Sequence, residues 1–310
     1  MPTFLANTQT IALLVTHSYC HALSKSIKLS LLITDLSLLM NWRCPVCHSP
    51  LLLEQKSYRC ANGHTHDLAK EGYVNLLLAH KKKSADPGDS KAMLLNRRMF
   101  LEQGHYQPLA AALAQRITEL TSVQPQVLLD IGCGEGYYLN QIAQTNPHLA
   151  IWGIDIARDA ARLAAKRLPV MHFAVASSAD LPVADESVDI VTTVFAPINE
   201  VEVMRVLKPK GLWFWVRPGT NHLYQLRELI YTQARLHTTE LKLPETLEVV
   251  TIQPVQYLLN LHHASSIAAL LAMTPYYWSA SVETQHDINQ LNHLEVQVDF
   301  QVVILQKPNT

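Results

Sequence analysis

Three things are missing from this chain, and each absence excludes a class of protein. There is no charge excess: 25 Lys and Arg stand against 26 Asp and Glu in 310 residues, a formal net charge of −1. That balance excludes a globally basic nucleic-acid binder while leaving room for a local basic patch. There is no paired-cysteine framework, because five cysteines, an odd number in a chain this long, argue against a disulfide scaffold; a cytoplasmic location is expected. There is no apolar run long enough to cross a bilayer: the stretches 11–15 and 29–40 are both too short. Neither carries the basic flank and long uninterrupted apolar segment of a secretory signal. Residues 1–39 are expected to be a non-native or disordered extension, with translation starting at Met40.

What is present begins at residue 40. Cys44 and Cys47 are followed by Cys60 and His64 in a C-x2-C-x12-C-x3-H array. Three thiolates and one imidazole make the Cys3His set that closes a tetrahedral zinc site. His66 also stands within permitted spacing of Cys60, but His64 is the tighter match. A short hairpin around residues 56–59 would bring the two halves together. Four protein ligands leave no open position for water, so one structural zinc ion is expected, outside the reaction. Its binding free energy, on the order of 10 kcal/mol, would be folding energy for a module (residues 40–80) too small to have much core.

Residues 81–106 read as a basic linker and helix. Between Lys56 and Arg98 nine Lys and Arg face four Asp and Glu, in a chain that is net −1. Beside a zinc ribbon, that local excess points to nucleic acid. Residues 93–100 have a helical pattern, and Pro108 is placed to open a second helix over 109–120.

From residue 107 to 307 strands alternate with helical segments, the pattern of a parallel α/β sheet covered on both faces. Strands are expected at 127–131, 151–155, 170–176 and 189–195, with helices at 138–144, 159–167 and 261–273. Three of the chain's ten glycines, Gly132, Gly134 and Gly136, stand at alternate positions where the first strand feeds a helix. Glycines let a backbone approach a ligand closely, and a helix start offers free N–H groups. The spacing is G-x-G-x-G after Asp130, not the dinucleotide G-x-G-x-x-G. Asp155 ends the second strand nineteen positions after Gly136, where ribose hydroxyls would be accepted. Residues 294–304 alternate apolar and polar, as a closing antiparallel strand would.

Asp130-Ile-Gly-Cys-Gly-Glu-Gly136, Gly153-Ile-Asp155, Asp180-Leu-Pro182 and Leu207-Lys-Pro-Lys-Gly211 resemble, in order and spacing, the class I S-adenosylmethionine-dependent methyltransferases. The resemblance narrows with the zinc array in front and with Ala69-Lys-Glu-Gly-Tyr-Val-Asn-Leu76, Asp86-Pro-Gly-Asp-Ser90, Gly104-His-Tyr-Gln-Pro-Leu109, Val175-Ala-Ser-Ser178 and Met273-Thr-Pro275. From about Met40 to Lys307 the chain is similar to the 23S ribosomal RNA guanine-N1-methyltransferases, relatives of the tylosin-resistance methyltransferases. That family implies a seven-stranded Rossmann-like methyltransferase fold behind a zinc-ribbon-like module, with S-adenosylmethionine as methyl donor. It further implies N1 of a guanosine in hairpin 35 of 23S rRNA as acceptor, and a homodimer. Its zinc ligands map onto Cys44, Cys47, Cys60 and His64. Its cofactor contacts map onto Tyr106, Tyr138 with Leu139, and His222, to which the fold adds Asp130, Gly132, Gly134, Gly136 and Asp155. Lys210 replaces a usual glycine of the family.

Guanine N1 carries a proton that must leave during transfer, so a base is expected. Asp180, Asp185 and His222 are candidates; Phe195-Ala-Pro197 holds no acid or amide where amino-methylating relatives carry an Asn/Asp-Pro-Pro-aromatic motif. The competing functions are a small-molecule methyltransferase and a non-catalytic zinc-ribbon RNA-binding protein. Replacing Cys44 and Cys47 by Ser is expected to abolish RNA recognition and leave cofactor binding largely intact.

Overall fold

The computed structural model describes residues 40–81, 87–122, 124, 126–234, 236–237 and 246–309. The expected extension 1–39 and linker residues 82–86 lie outside them. The zinc module starts with strands β1 (Leu51–Glu54) and β2 (Ser57–Cys60) in an antiparallel hairpin that sets Leu51 opposite Cys60, and β3 (Thr65–Asp67) pairs with β2. Then come β4 (Tyr73–Asn75) and a 3-10 turn (Ala79–Lys81). Helix α1 (Lys91–Glu102) is capped by the Ser90 hydroxyl, which accepts the Met93 N–H at 3.2 Å. Helix α2 (Gln107–Leu120) opens with Pro108 in its first turn, where a missing N–H costs nothing.

The larger unit follows as β5 (Gln126–Ile131), α3 (Tyr137–Thr145), β6 (Leu149–Asp155), α4 (Arg158–Arg167), β7 (His172–Val175), β8 (Val188–Val194), α5 (Glu200–Val206), β9 (Leu207–Pro218) and α6 (Tyr224–Ile230). It ends with β10 (Glu248–Leu261), α7 (Ala264–Ala272), α8 (Tyr276–Ser279), α9 (Val282–Gln290) and β11 (Leu294–Gln306). Strands β5 to β11 supply the seven expected strands, and β4 adds an eighth, in the order β10-β11-β9-β8-β5-β6-β7-β4. All neighbours from β9 to β4 run parallel, whereas β11 is antiparallel to both β9 and β10. The parallel strands read as near-continuous apolar runs because both faces are covered. Leu128 of β5 faces one core with Phe100, Leu113, Leu139, Leu226 and Ile267 from the helices. Its neighbours Val127, Leu129 and Ile131 face another core that contains Trp42, Leu51, Tyr58 and Val74 of the zinc module. The zinc module is therefore one of the layers that cover the sheet.

One expected helix moves, and one strand was not expected. The helix expected from 261 starts at Ala264, because Leu261 is the last residue of β10. Strand β10 went unread: its fourteen residues carry exposed or half-buried positions along nearly their whole length, as suits an edge strand paired on one side only.

Candidate cofactor and metal sites

The zinc ligand atoms of Cys44, Cys47, Cys60 and His64 all lie within 4.8 Å of one another. Cys47 Sγ is 3.6 Å from Cys60 Sγ, and Cys60 Sγ is 3.4 Å from His64 Nδ1. Tetrahedral zinc with Zn–S near 2.3 Å spaces its sulfurs by about 3.8 Å, so the cluster fits that ion. His66 Nε2 lies 3.8 Å from Cys44 Sγ, but the residue stands outside the four. The Cys47 thiol is held down to about 5, first by the Asn62 side chain and then by Ser49, which favours the thiolate a metal needs.

At the carboxyl ends of β5, β6 and β8 the glycine loop takes a left-handed course, with φ of 77° at Gly132, 54° at Gly134 and 80° at Gly136. The Gly132 and Cys133 amides both donate to the Ile154 carbonyl at 2.9 Å, which ties the loop to β6. A methyl group on Gly132 would stand 2.4 Å from the Ala196 Cβ, whereas one on Gly134 would meet nothing within 4 Å. Gly134 therefore faces open space. The Asp155 carboxylate accepts the Gly134 N–H at 2.9 Å and the Ala157 N–H at 2.8 Å, leaving a second lone pair on each oxygen. Burial pushes Asp155 up to about 6, against the pull of those amides. Asp130 is pushed up to about 7 by burial, the Thr192 hydroxyl opposing and the nearby Asp155 adding to the shift.

Around this loop the structure gathers the other expected residues. The Tyr106 ring lies 6.4 Å from that of His222, and its hydroxyl is buried without a protein partner. A buried orphan hydroxyl is what a bound polar ligand would satisfy. Helix α3 starts at Tyr137, so the first-turn amides of Tyr137, Tyr138 and Leu139 have no partner within the helix. The Leu139 side chain is fully buried, so what this residue can offer a ligand is its backbone. These features fit S-adenosylmethionine: amides for a carboxylate, Asp155 for ribose hydroxyls, and a glycine where the chain must come close.

The three base candidates fare poorly. Asp180 is ion-paired with Lys81 and Arg43, and Asp185 with Arg205 at 2.7 Å and Arg43 at 3.7 Å. His222 is pushed down to about 3 by burial and then by the charges of His237 and Arg227, so it is neutral. Its Nδ1 accepts the Asp299 N–H at 3.4 Å. Two features near the loop escaped the sequence reading, the burial of Glu135 and the left-handed backbone of Phe195. Glu135 is buried inside the loop and held by Arg167 at 2.8 Å; an acid between two glycines looks like surface until its partner, thirty-two residues away, is known. Phe195 has φ 54° and is 44 % exposed, its ring lying 6.1 Å from that of His222 at an interplanar angle of 18°. A left-handed non-glycine residue costs about 1–2 kcal/mol, and such positions cluster at functional sites.

A model of the RlmA N-terminal zinc ribbon matches residues 42–85, and a methyltransferase-domain model matches residues 128–211. The 23S rRNA (guanine(748)-N(1))-methyltransferase of Streptomyces fradiae is 34 % identical over 242 residues, 76 % of this chain and 85 % of that protein. The chain belongs to the 23S rRNA (guanine-N1)-methyltransferase family. YxjB of Bacillus subtilis (strain 168), provisionally named a 23S rRNA (guanine-N(1)-)-methyltransferase, is 32 % identical over 277 residues, 86 % of this chain and 97 % of its own length. The demethylmenaquinone methyltransferase of Thermotoga maritima is 34 % identical over 95 residues, only 30 % of this chain. Among solved structures, YcgJ of Bacillus subtilis aligns over 65 % of this chain and 98 % of its own, at 19 % identity and a TM-score of 0.43. The fold is thus read from the strand order itself. As a member of this family the chain is an S-adenosylmethionine-dependent methyltransferase with a structural zinc.

Proposed function

We propose that this enzyme transfers the methyl group of S-adenosylmethionine to N1 of a guanosine in hairpin 35 of 23S rRNA. The observation that carries the reading is that both family modules are present and joined, the ribbon's β4 continuing the sheet whose strand ends hold the glycine loop. Bound S-adenosylmethionine supplies an electrophilic methyl on a sulfonium. The chain's part is alignment, since an in-line displacement needs donor and acceptor held in register. We assign Gly132, Gly134, Gly136, Tyr138 and Leu139 to the donor through their backbone, Asp155 to its ribose, Tyr106 and His222 to its surroundings, and Asp130 to the support of the loop. Cys44, Cys47, Cys60 and His64 hold the zinc. Asp180 and Asp185 are tied in ion pairs and His222 is too weak a base, so loss of the N1 proton is assigned to no side chain.

The domain reading is a zinc module at 40–80, a linker and helix at 81–106 and a methyltransferase domain at 107–307, acting as a homodimer in the cytoplasm. No helix among the described residues is long and apolar enough to cross a membrane. The test is methyl-labelled S-adenosylmethionine with unmodified 23S rRNA, followed by reverse-transcription mapping, because N1-methylguanine blocks pairing. A stop at a guanosine of hairpin 35 is expected. RNA that takes up no label would overturn the reading, and a stop elsewhere would correct the target. Light scattering on the purified enzyme reports the dimer.

A further inference from the structure

The loop of residues 176–183 leaves the carboxyl end of β7 beside Asp155, whose carbonyl accepts the Ala176 N–H at 3.0 Å. It is gripped from two sides. On the methyltransferase side, Glu202 of α5 accepts the Leu181 N–H at 2.7 Å, and Arg205 donates to the Val183 carbonyl at 2.7 Å and the Leu181 carbonyl at 3.0 Å. On the other side the grip comes from the zinc module. Trp42 forms an antiparallel bridge with Val183, and the Arg43 N–H donates to the Pro182 carbonyl at 2.8 Å. The Arg43 guanidinium lies 3.6 Å from the Asp180 carboxylate, which also accepts from the Lys81 ammonium.

These contacts leave little slack. Trp42 is fully buried, edge-on to Trp152 of β6 at 4.6 Å, and the zinc ligand Cys44 follows two residues later. The module's other end is fixed as well: β4 pairs in parallel with β7, and the Leu76 N–H donates to the Val175 carbonyl at 2.9 Å. A metal ligand, a sheet contact and the grip on the loop thus fall within three consecutive residues, 42–44.

We propose that Arg43 and Lys81 are positioning residues for the nucleoside end of S-adenosylmethionine, locking loop 176–183 through Asp180 so that zinc occupancy and cofactor affinity are linked. The inference rests on the reading that Asp155 takes the cofactor's ribose. It replaces the expectation that the two modules act separately. Linkage is reciprocal: if zinc strengthens cofactor binding, cofactor must strengthen zinc retention by the same factor.

The test uses the full chain with its zinc and S-adenosylhomocysteine as the probe. Calorimetry should show the dissociation constant rising about 5- to 10-fold in Arg43→Ala and in Lys81→Ala, with zinc content unchanged. Lys81→Arg should restore it, and Arg59→Ala, whose side chain pairs with Glu54 in the same module at 3.8 Å, should leave it alone. In wild type, saturating S-adenosylhomocysteine should slow zinc loss to a chromogenic chelator by a similar factor, and this protection should vanish in the Arg43→Ala, Lys81→Ala double variant. Unchanged affinity in both single variants, or zinc loss indifferent to S-adenosylhomocysteine, would overturn the linkage. Wild type that binds no S-adenosylhomocysteine would instead remove the site reading beneath it.

Discussion

The Asp130 carboxylate accepts the Thr192 hydroxyl at 2.7 Å, linking neighbouring strands β5 and β8 where both groups are buried. Burial keeps this acid near 7 and Asp155 near 6, both above the usual 3.8. A carboxyl raised in the folded state favours folding when protonated. Its stabilisation is complete below pH 4 and is lost as pH rises through about 6 to 7. Cofactor-free enzyme should therefore melt at progressively lower temperature between pH 5 and pH 8. Asp130→Asn should flatten the slope, since the Asp130 part alone amounts to at most about 4 kcal/mol. A melting temperature that rises over this interval in wild type would contradict the assignment.

Gly132 and Gly134 should separate folding from binding. Both have positive φ, but a Cβ on Gly132 collides with Ala196 while one on Gly134 enters open space. Gly132→Ala is expected to destabilise the protein by about 2–4 kcal/mol through strain and overpacking. Gly134→Ala should cost only about 1 kcal/mol yet weaken S-adenosylhomocysteine at least about 10-fold by filling cofactor space. Denaturant melts and calorimetry on the two variants read the two effects.

Tyr106→Phe carries opposite signs for stability and affinity. Its buried hydroxyl has no protein partner, so deleting it should leave the cofactor-free protein unchanged or about 1 kcal/mol more stable. With cofactor bound the same hydroxyl would have lost its partner, so affinity should fall about 3- to 10-fold. Unchanged affinity would remove Tyr106 from the site.

Local chemistry was legible in the sequence, and long-range geometry was not. The zinc array and glycine loop are patterns of residue type and spacing, each confined to one short stretch of chain, so they could be singled out without knowledge of the fold. The parallel strands were legible because burial on both faces writes continuous apolar runs, as in β5 and β6. The three residues of β4 carry no such signal, and only their register against Phe173–Val175 of β7 shows that they belong to the large sheet. Asp180 illustrates the same limit. As sequence it is a candidate base; its capture by Lys81, ninety-nine residues away, depends on a docking that no local pattern encodes.

Lys210 takes φ 62°, the left-handed region where glycine is unstrained. Its side chain is exposed, so little packing is lost on removal. Lys210→Gly relieves about 1–2 kcal/mol of backbone strain and costs up to about 1 kcal/mol of added unfolded-state entropy. A net gain of about 0.5–1 kcal/mol is expected in urea unfolding, with cofactor affinity unchanged.

Zinc removal should unfold more than the ribbon. Met40, Trp42, Leu51, Tyr58, Val74 and Leu76 share one core with Val127, Leu129, Trp152 and Val191 of the sheet. The sulfur ligands Cys44 and Cys60 belong to that same core, so losing the ion leaves buried thiols with no partner metal beneath the sheet. Structural zinc contributes on the order of 10 kcal/mol to a small module, and a shared core passes that loss to the larger unit. Holoenzyme should accordingly melt in a single calorimetric transition. Chelation, or Cys60→Ser, should lower that whole transition by more than about 10 °C, since each kcal/mol moves a domain of this size by about 2–4 °C. Two resolved transitions, with only the smaller one sensitive to chelator, would instead show that the ribbon and the sheet unfold independently despite their common core.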